Sequence, residues 1–151
     1  VKEQNDEYKA ETGFTDRKIK AYDKLELTDE QQKVLDALRQ NCVEETLWSA
    51  IAAFQNYPFR TASGLPYQYK LKIGKDGTYN KELLIDRREN SKTLSWSSIK
   101  MAFQNCRQIS GIVKRPKALG DIRGISYIYP LFWKFGLIEV PEESAKKMGG
   151  E

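Results

Sequence analysis

The chain has no histidine among its 151 residues. That absence removes Ser-His-Asp and Cys-His catalysis, histidine-ligated metal sites and the usual proton shuttle near neutral pH. Cysteine is scarce too. Cys42 and Cys106 are too few for a disulfide framework or a four-ligand zinc site, and each reads as a small buried hydrophobe. No apolar run approaches the roughly 18 residues of a membrane span. The opening VKEQNDEYKAETGFTDRKIK has no apolar core of a secretory signal, so a cytoplasmic protein without membrane contact is expected. A phosphate-cradling loop is also missing, because GKDG (74–77) falls between two strand-like runs and not between a strand and a helix. A restriction-type nuclease centre has little support. Asp76, Glu82, Asp86, Glu89 and Lys92 share a segment, but Glu89 and Lys92 do not have Glu-x-Lys spacing. The chain is therefore expected to be non-enzymatic, with no cofactor and no metal.

What is present is a chain long enough for one domain, with 40% hydrophobic residues. The net charge of +4 is unevenly spread. Residues 1–47 carry 8 Lys/Arg against 12 Asp/Glu, residues 48–125 carry 14 against 5, and residues 126–151 carry 3 against 4. A middle segment this basic points to an anionic partner or to the acidic head of the same chain.

Periodicity places the elements. Residues 1–13 and 141–151 are polar and read as flexible ends around one α+β domain at 14–140. Helices are expected near 15–22, 29–41, 44–57, 95–109 and 126–135. Thr28 and Gln31 have capping-box spacing, and Tyr57 before Pro58 ends the third of these helices. Ser95 or Thr93 caps the next, with Trp96, Ile99, Phe103 and Cys106 inward. Pro116 suits the first position of a short helix through Leu119. Between the helices, LPYQYKLKI (65–73) alternates, with Leu65, Tyr67, Tyr69, Leu71 and Ile73 on one face, and a second strand follows to Arg87. Pairing Ile73 with Tyr79 leaves a loop from Gly74 to Thr78 and sets Tyr69 opposite Leu83, Tyr67 opposite Ile85 and Lys70 opposite Glu82. Leu84 then falls on the polar face. The expected fold is thus about five helices around a two-stranded antiparallel hairpin at 65–88. WSAIAAFQN (48–56) is similar to WSSIKMAFQN (96–105), but the flanks do not repeat, so helical periodicity is the simpler cause.

In the last third, Ser126 is a candidate cap for a helix beginning at Tyr127, Pro130 falls in its first turn, and Gly136 suits its end. Short helix, turn, helix, then Gly-Leu-Ile and a strand start, over about residues 112–140, resembles the core of winged helix-turn-helix domains. The resemblance implies a winged-helix-like C-terminal half and a DNA-binding module whose helix 127–135 enters a groove. The side chains point elsewhere: Tyr127, Ile128, Tyr129, Leu131, Phe132, Trp133 and Phe135 read as core, and Lys134 is the one charge among them. As a whole the chain resembles small uncharacterised proteins of gut Firmicutes, some encoded near mobile elements, which implies no defined activity.

The expected function is nucleic-acid binding, DNA before RNA, through phosphate contacts from a basic face within residues 60–123. The candidates are Arg87, Arg88, Lys92, Lys100, Lys114, Arg115, Lys117 and Arg123, since phosphate contacts need positive charge and donors at the surface. Tyr67 or Tyr69 would stack on bases if exposed, but their alternation with lysines predicts inward packing. The alternative is a protein-interaction or inhibitor module whose basic face meets an acidic protein partner.

Overall fold

The computed structural model describes residues 26–87 and 91–149. The helix expected at 15–22 and the segment 1–13 lie outside the described residues, as does Arg88. The chain forms α1 (Asp29–Gln40), α2 (Glu44–Ala53), β1 (Phe59–Arg60), β2 (Pro66–Ile73), β3 (Tyr79–Asp86), β4 (Ser91–Ser95), α3 (Trp96–Cys106), a 3-10 turn (Pro116–Leu119), α4 (Ile125–Lys134) and α5 (Glu142–Lys147). The class is α+β, but the sheet has four antiparallel strands in the order β1-β2-β3-β4 and is not an isolated hairpin.

Local signals act as the sequence predicts at several ends. Thr28 Oγ1 accepts from Gln31 N and Gln31 Oε1 accepts from Thr28 N, both at 3.0 Å, closing the capping box of α1. Ser95 Oγ accepts from Ser98 N at 3.2 Å and starts α3. Beyond α4, Gly136 takes φ +80, with Gly136 N donating to Trp133 O and Leu137 N to Phe132 O. That is the paired closure of a Schellman end.

Other boundaries move. α2 stops at Ala53 and not at 57, because Asn56 turns to φ +67 and gives its N–H to the Tyr69 carbonyl of β2. SKTLS, read as the approach to a helix, is strand β4, with Leu94 opposite Leu83 and buried. α4 begins at Ile125 with Gly124 as cap, two residues before the expected start at Tyr127 with Ser126 as cap. Pro130 therefore sits in its second turn, where it denies a donor to the carbonyl of the exposed Ser126. LIEV forms no strand. A single parallel bridge joins Ile112 to Glu139, with Val113 N donating to Glu139 O at 2.8 Å. Within 141–151, read as a flexible tail, lies α5, followed by the buried Met148.

The hairpin register corrects the prediction in an instructive way. Ile73 does pair with Tyr79 across the Gly74–Thr78 loop, but further in Leu71 pairs with Leu83, Lys70 with Leu84 and Tyr69 with Ile85. An irregularity between Leu71 and Ile73 sets Lys72 against three residues of β3. The slip is two residues, so it keeps every side chain on its face. Tyr67, Tyr69, Leu71, Leu83 and Ile85 are buried together. Leu84 lies on the polar face, 37% exposed. Leu65 and Ile73, at the two ends of the run, are exposed despite their alternation.

The core runs from Leu38, Leu47, Ile51 and Phe54 through the inner sheet face to Ile99, Phe103 and α4. Tyr69 Oη donates to Ile51 O at 2.7 Å and Tyr67 Oη to Tyr127 O at 2.9 Å, so both buried hydroxyls are satisfied. The two similar tryptophan segments meet here. Trp48, in the second turn of α2, and Trp96, first in α3, have ring centroids 5.1 Å apart in an edge-to-face pair.

Candidate nucleic-acid interface

α4 is the pivot of the candidate site, and it is an interior element. Ile125, Tyr127, Ile128, Tyr129, Pro130, Leu131 and Phe132 are all buried, so the side chains of this helix pack the core, as their apolar periodicity predicts. Tyr67 and Tyr69 are buried as well, which removes both from base stacking.

The cations lie along the segment that leads into α4. The segment between α3 and α4 is fixed from behind by the buried Val113, Leu119 and Ile122. Asn105 Nδ2 donates to Leu119 O at 2.7 Å and ties it to α3. Pro116 opens the 3-10 turn, as expected from its fixed φ. On the outer side of this anchored segment Lys114, Arg115, Lys117 and Arg123 are all exposed. Gly124 then takes φ +81, and a Cβ there would lie 2.5 Å from Leu94 Cδ1. This close approach seats the Arg123–Gly124 corner on β4. Lys92 is exposed, two residues from Leu94 and opposite Ile85, so it shares the sheet face on which that corner rests.

Two candidates behave differently. Arg87 is half-buried. Its Nη1 lies 2.6 Å from Tyr127 Oη, and its buried Nε has no partner among the described residues. It joins the exit of β3 to the first turn of α4 and is spent on packing more than on solvent. Lys100 is partly buried in the second turn of α3, and no contact among the described residues ties it to the others. The structure thus sets Lys92 and Arg123 where β4 meets the start of α4, Arg115 and Lys117 at the 3-10 turn tied to the end of α3, and Lys114 beside the Ile112–Glu139 bridge past the end of α4, with Arg87 half-buried against Tyr127 and Lys100 apart.

Little else offers chemistry. Among the described residues no group of three or more Cys, Asp or Glu is placed to hold a metal, and no helix is long and apolar enough to cross a membrane. A cavity of about 280 Å³ lies between the end of α3 and residues 136–139, lined by Cys106, Val113 and Leu137. Burial pushes the Cys106 thiol up to about 11, the opposite of what an attacking thiolate needs. No family model, curated protein or solved structure matches the chain.

Sequence reasoning missed one exposed aromatic. Tyr79, at the tip end of β3, is 54% exposed, whereas the two tyrosines that alternate with lysines in β2 are buried. Its signal was available, since it begins the strand beside a glycine turn and has no apolar neighbour in β3 until Leu83.

Proposed function

We propose that the protein is a non-enzymatic nucleic-acid-binding protein, DNA-directed, that grips phosphates with the loop before α4. The observation that carries this reading is the anchored basic segment itself. Lys114, Arg115, Lys117 and Arg123 are exposed on a stretch whose apolar residues are locked into the core. Cations presented this way lose less conformational freedom on binding than cations on a loose tail. Lys92 is a further exposed cation on β4, the strand against which Gly124 rests. The contacts come from the residues that flank α4, not from the helix.

The test is fluorescence anisotropy with labelled duplex DNA, single-stranded DNA and RNA at 50 and 200 mM salt. Four phosphate contacts on a duplex give a slope of about −3.6 in log K against log salt, a loss of roughly 150-fold over that interval. Arg115→Glu with Lys117→Glu should abolish binding while leaving the melting temperature in place, since both side chains are exposed. Binding that survives the double change, or that ignores salt, would remove this loop from the interface.

A further inference from the structure

Residues 72–80 form the exposed end of the β2–β3 hairpin, an arm with no buried side chain. The last buried residues of β2 and β3 are Leu71 and Leu83, and no side chain between them is buried. The arm is nonetheless built. At its root, Leu71 N donates to Gln55 Oε1 at 2.9 Å and Lys72 Nζ lies 3.5 Å from Glu82 Oε1. Lys81 Nζ sits 5.1 and 5.3 Å from the rings of Trp48 and Trp96, pinning β3 to α2 and α3. At the turn, Asp76 Oδ1 accepts from Thr78 N at 3.0 Å and from Thr78 Oγ1 at 2.7 Å.

The anchored ribbon ends in an apolar pair. Ile73 and Tyr79 face each other in register and are 65% and 54% exposed. Neither adds to the core. Around them residues 70–82 carry Lys70, Lys72, Lys75 and Lys81 against Asp76 and Glu82, and the Asp76 carboxylate is already engaged by Thr78.

We propose that this arm enters a groove of duplex DNA, with Ile73 and Tyr79 as an apolar wedge against a base step and Lys70 and Lys75 on the flanking phosphates. The inference rests on the nucleic-acid reading above and names how a second surface takes part. A two-stranded ribbon fits a groove, and exposed apolar side chains on positively charged arms unstack and bend duplexes. A second copy of the chain is the poorer occupant. It would bring the same positive charge to the contact, and two side chains fall far short of the roughly 1,200 Å² a stable interface buries. Tyr79 lies eight residues along the chain from Arg87, roughly 25 Å of strand, so arm and basic loop can be altered independently.

The experiment compares the unchanged protein with an Ile73→Ser, Tyr79→Ser variant on a duplex labelled at both ends for energy transfer, with affinity measured at two salt concentrations. The expected result is a loss of affinity of about tenfold, an unchanged salt slope, loss of the bending signal and an unaltered melting temperature. Equal affinity and equal bending by the two proteins, with Arg115→Glu/Lys117→Glu still abolishing binding, would overturn the arm and leave the loop. No duplex binding by the unchanged protein would overturn both. A concentration-dependent dimer lost in the variant, with DNA binding intact, would assign the tip to a second copy and overturn the inference.

Discussion

Gly124→Ala tests the corner on which the basic loop rests. Two costs combine there. Gly124 has φ +81, a conformation that costs an L-residue about 1–2 kcal/mol. The added Cβ would also meet Leu94 Cδ1 at 2.5 Å, more than 1 Å inside the roughly 3.5–4.0 Å of an ordinary carbon contact. Leu94 Cδ1 is a side-chain end, but its residue is 2% exposed and opposite the buried Leu83, so rotating it away displaces core neighbours. Overpacking of this kind costs about 1–3 kcal/mol. The sum centres on about 3.5 kcal/mol, which lowers Tm by about 7–14 °C in a domain of this size. Gly77→Ala is the control. Gly77 has φ +85 with nothing within 4 Å of its virtual Cβ, so only the backbone cost remains. Thermal or urea unfolding of the two variants should differ by about 1–3 kcal/mol. Adding Leu94→Ala to Gly124→Ala should recover part of the loss, giving a non-additive cycle. Equal destabilisation by the two glycine variants, or strict additivity with Leu94→Ala, would refute the close approach of this corner to β4.

Tyr69→Phe removes a buried hydroxyl and leaves the Ile51 carbonyl only its longer 3.3 Å bond from Phe54 N, so urea unfolding should show a loss of about 0.5–1.5 kcal/mol. Lys81→Ala should shift tryptophan emission, because the ammonium lies over both Trp48 and Trp96, with a stability loss of about 0.5–1 kcal/mol, and Lys81→Arg should restore most of both. Stability should fall as pH rises above about 9. Burial raises the Cys106 thiol to about 11 and lifts the Tyr67, Tyr69 and Tyr129 hydroxyls above their ordinary 10.0, so the unfolded chain sheds these protons first and gains by doing so. A pH series of urea midpoints that stayed flat from 8 to 11 would contradict that sign. For the same reason, iodoacetamide at pH 8 should modify Cys106 about 100-fold more slowly in the folded protein than in the unfolded one.

Much of the candidate site was legible because charge has few places to go. Lys114, Arg115, Lys117 and Arg123 cluster in sequence, and unpaired charges are kept out of a core at high cost, so their exposure followed from their identity. Arg87 did not follow. Its partner Tyr127 is forty residues away, and no local pattern pairs them. The apolar character of α4 announced a core helix, while the left-handed Gly124 that starts it two residues early packs against Leu94 in another element.

The sequence by itself determined the features that close within a few residues: the Thr28–Gln31 box, the Ser95 cap, the Pro116 turn, the Gly136 end and the Gly74–Thr78 loop. Each is a contest among groups a turn apart, and the residues present decide it. Tertiary structure alone decided the sheet. Alternation has a period of two, so it forbids a one-residue slip but is blind to the two-residue slip past Lys72. SKTLS is a strand only because β3 offers it an edge. Which ends of β2 stay exposed depends on how far the helices reach across the sheet, and that reach is set by packing among residues far apart in the chain.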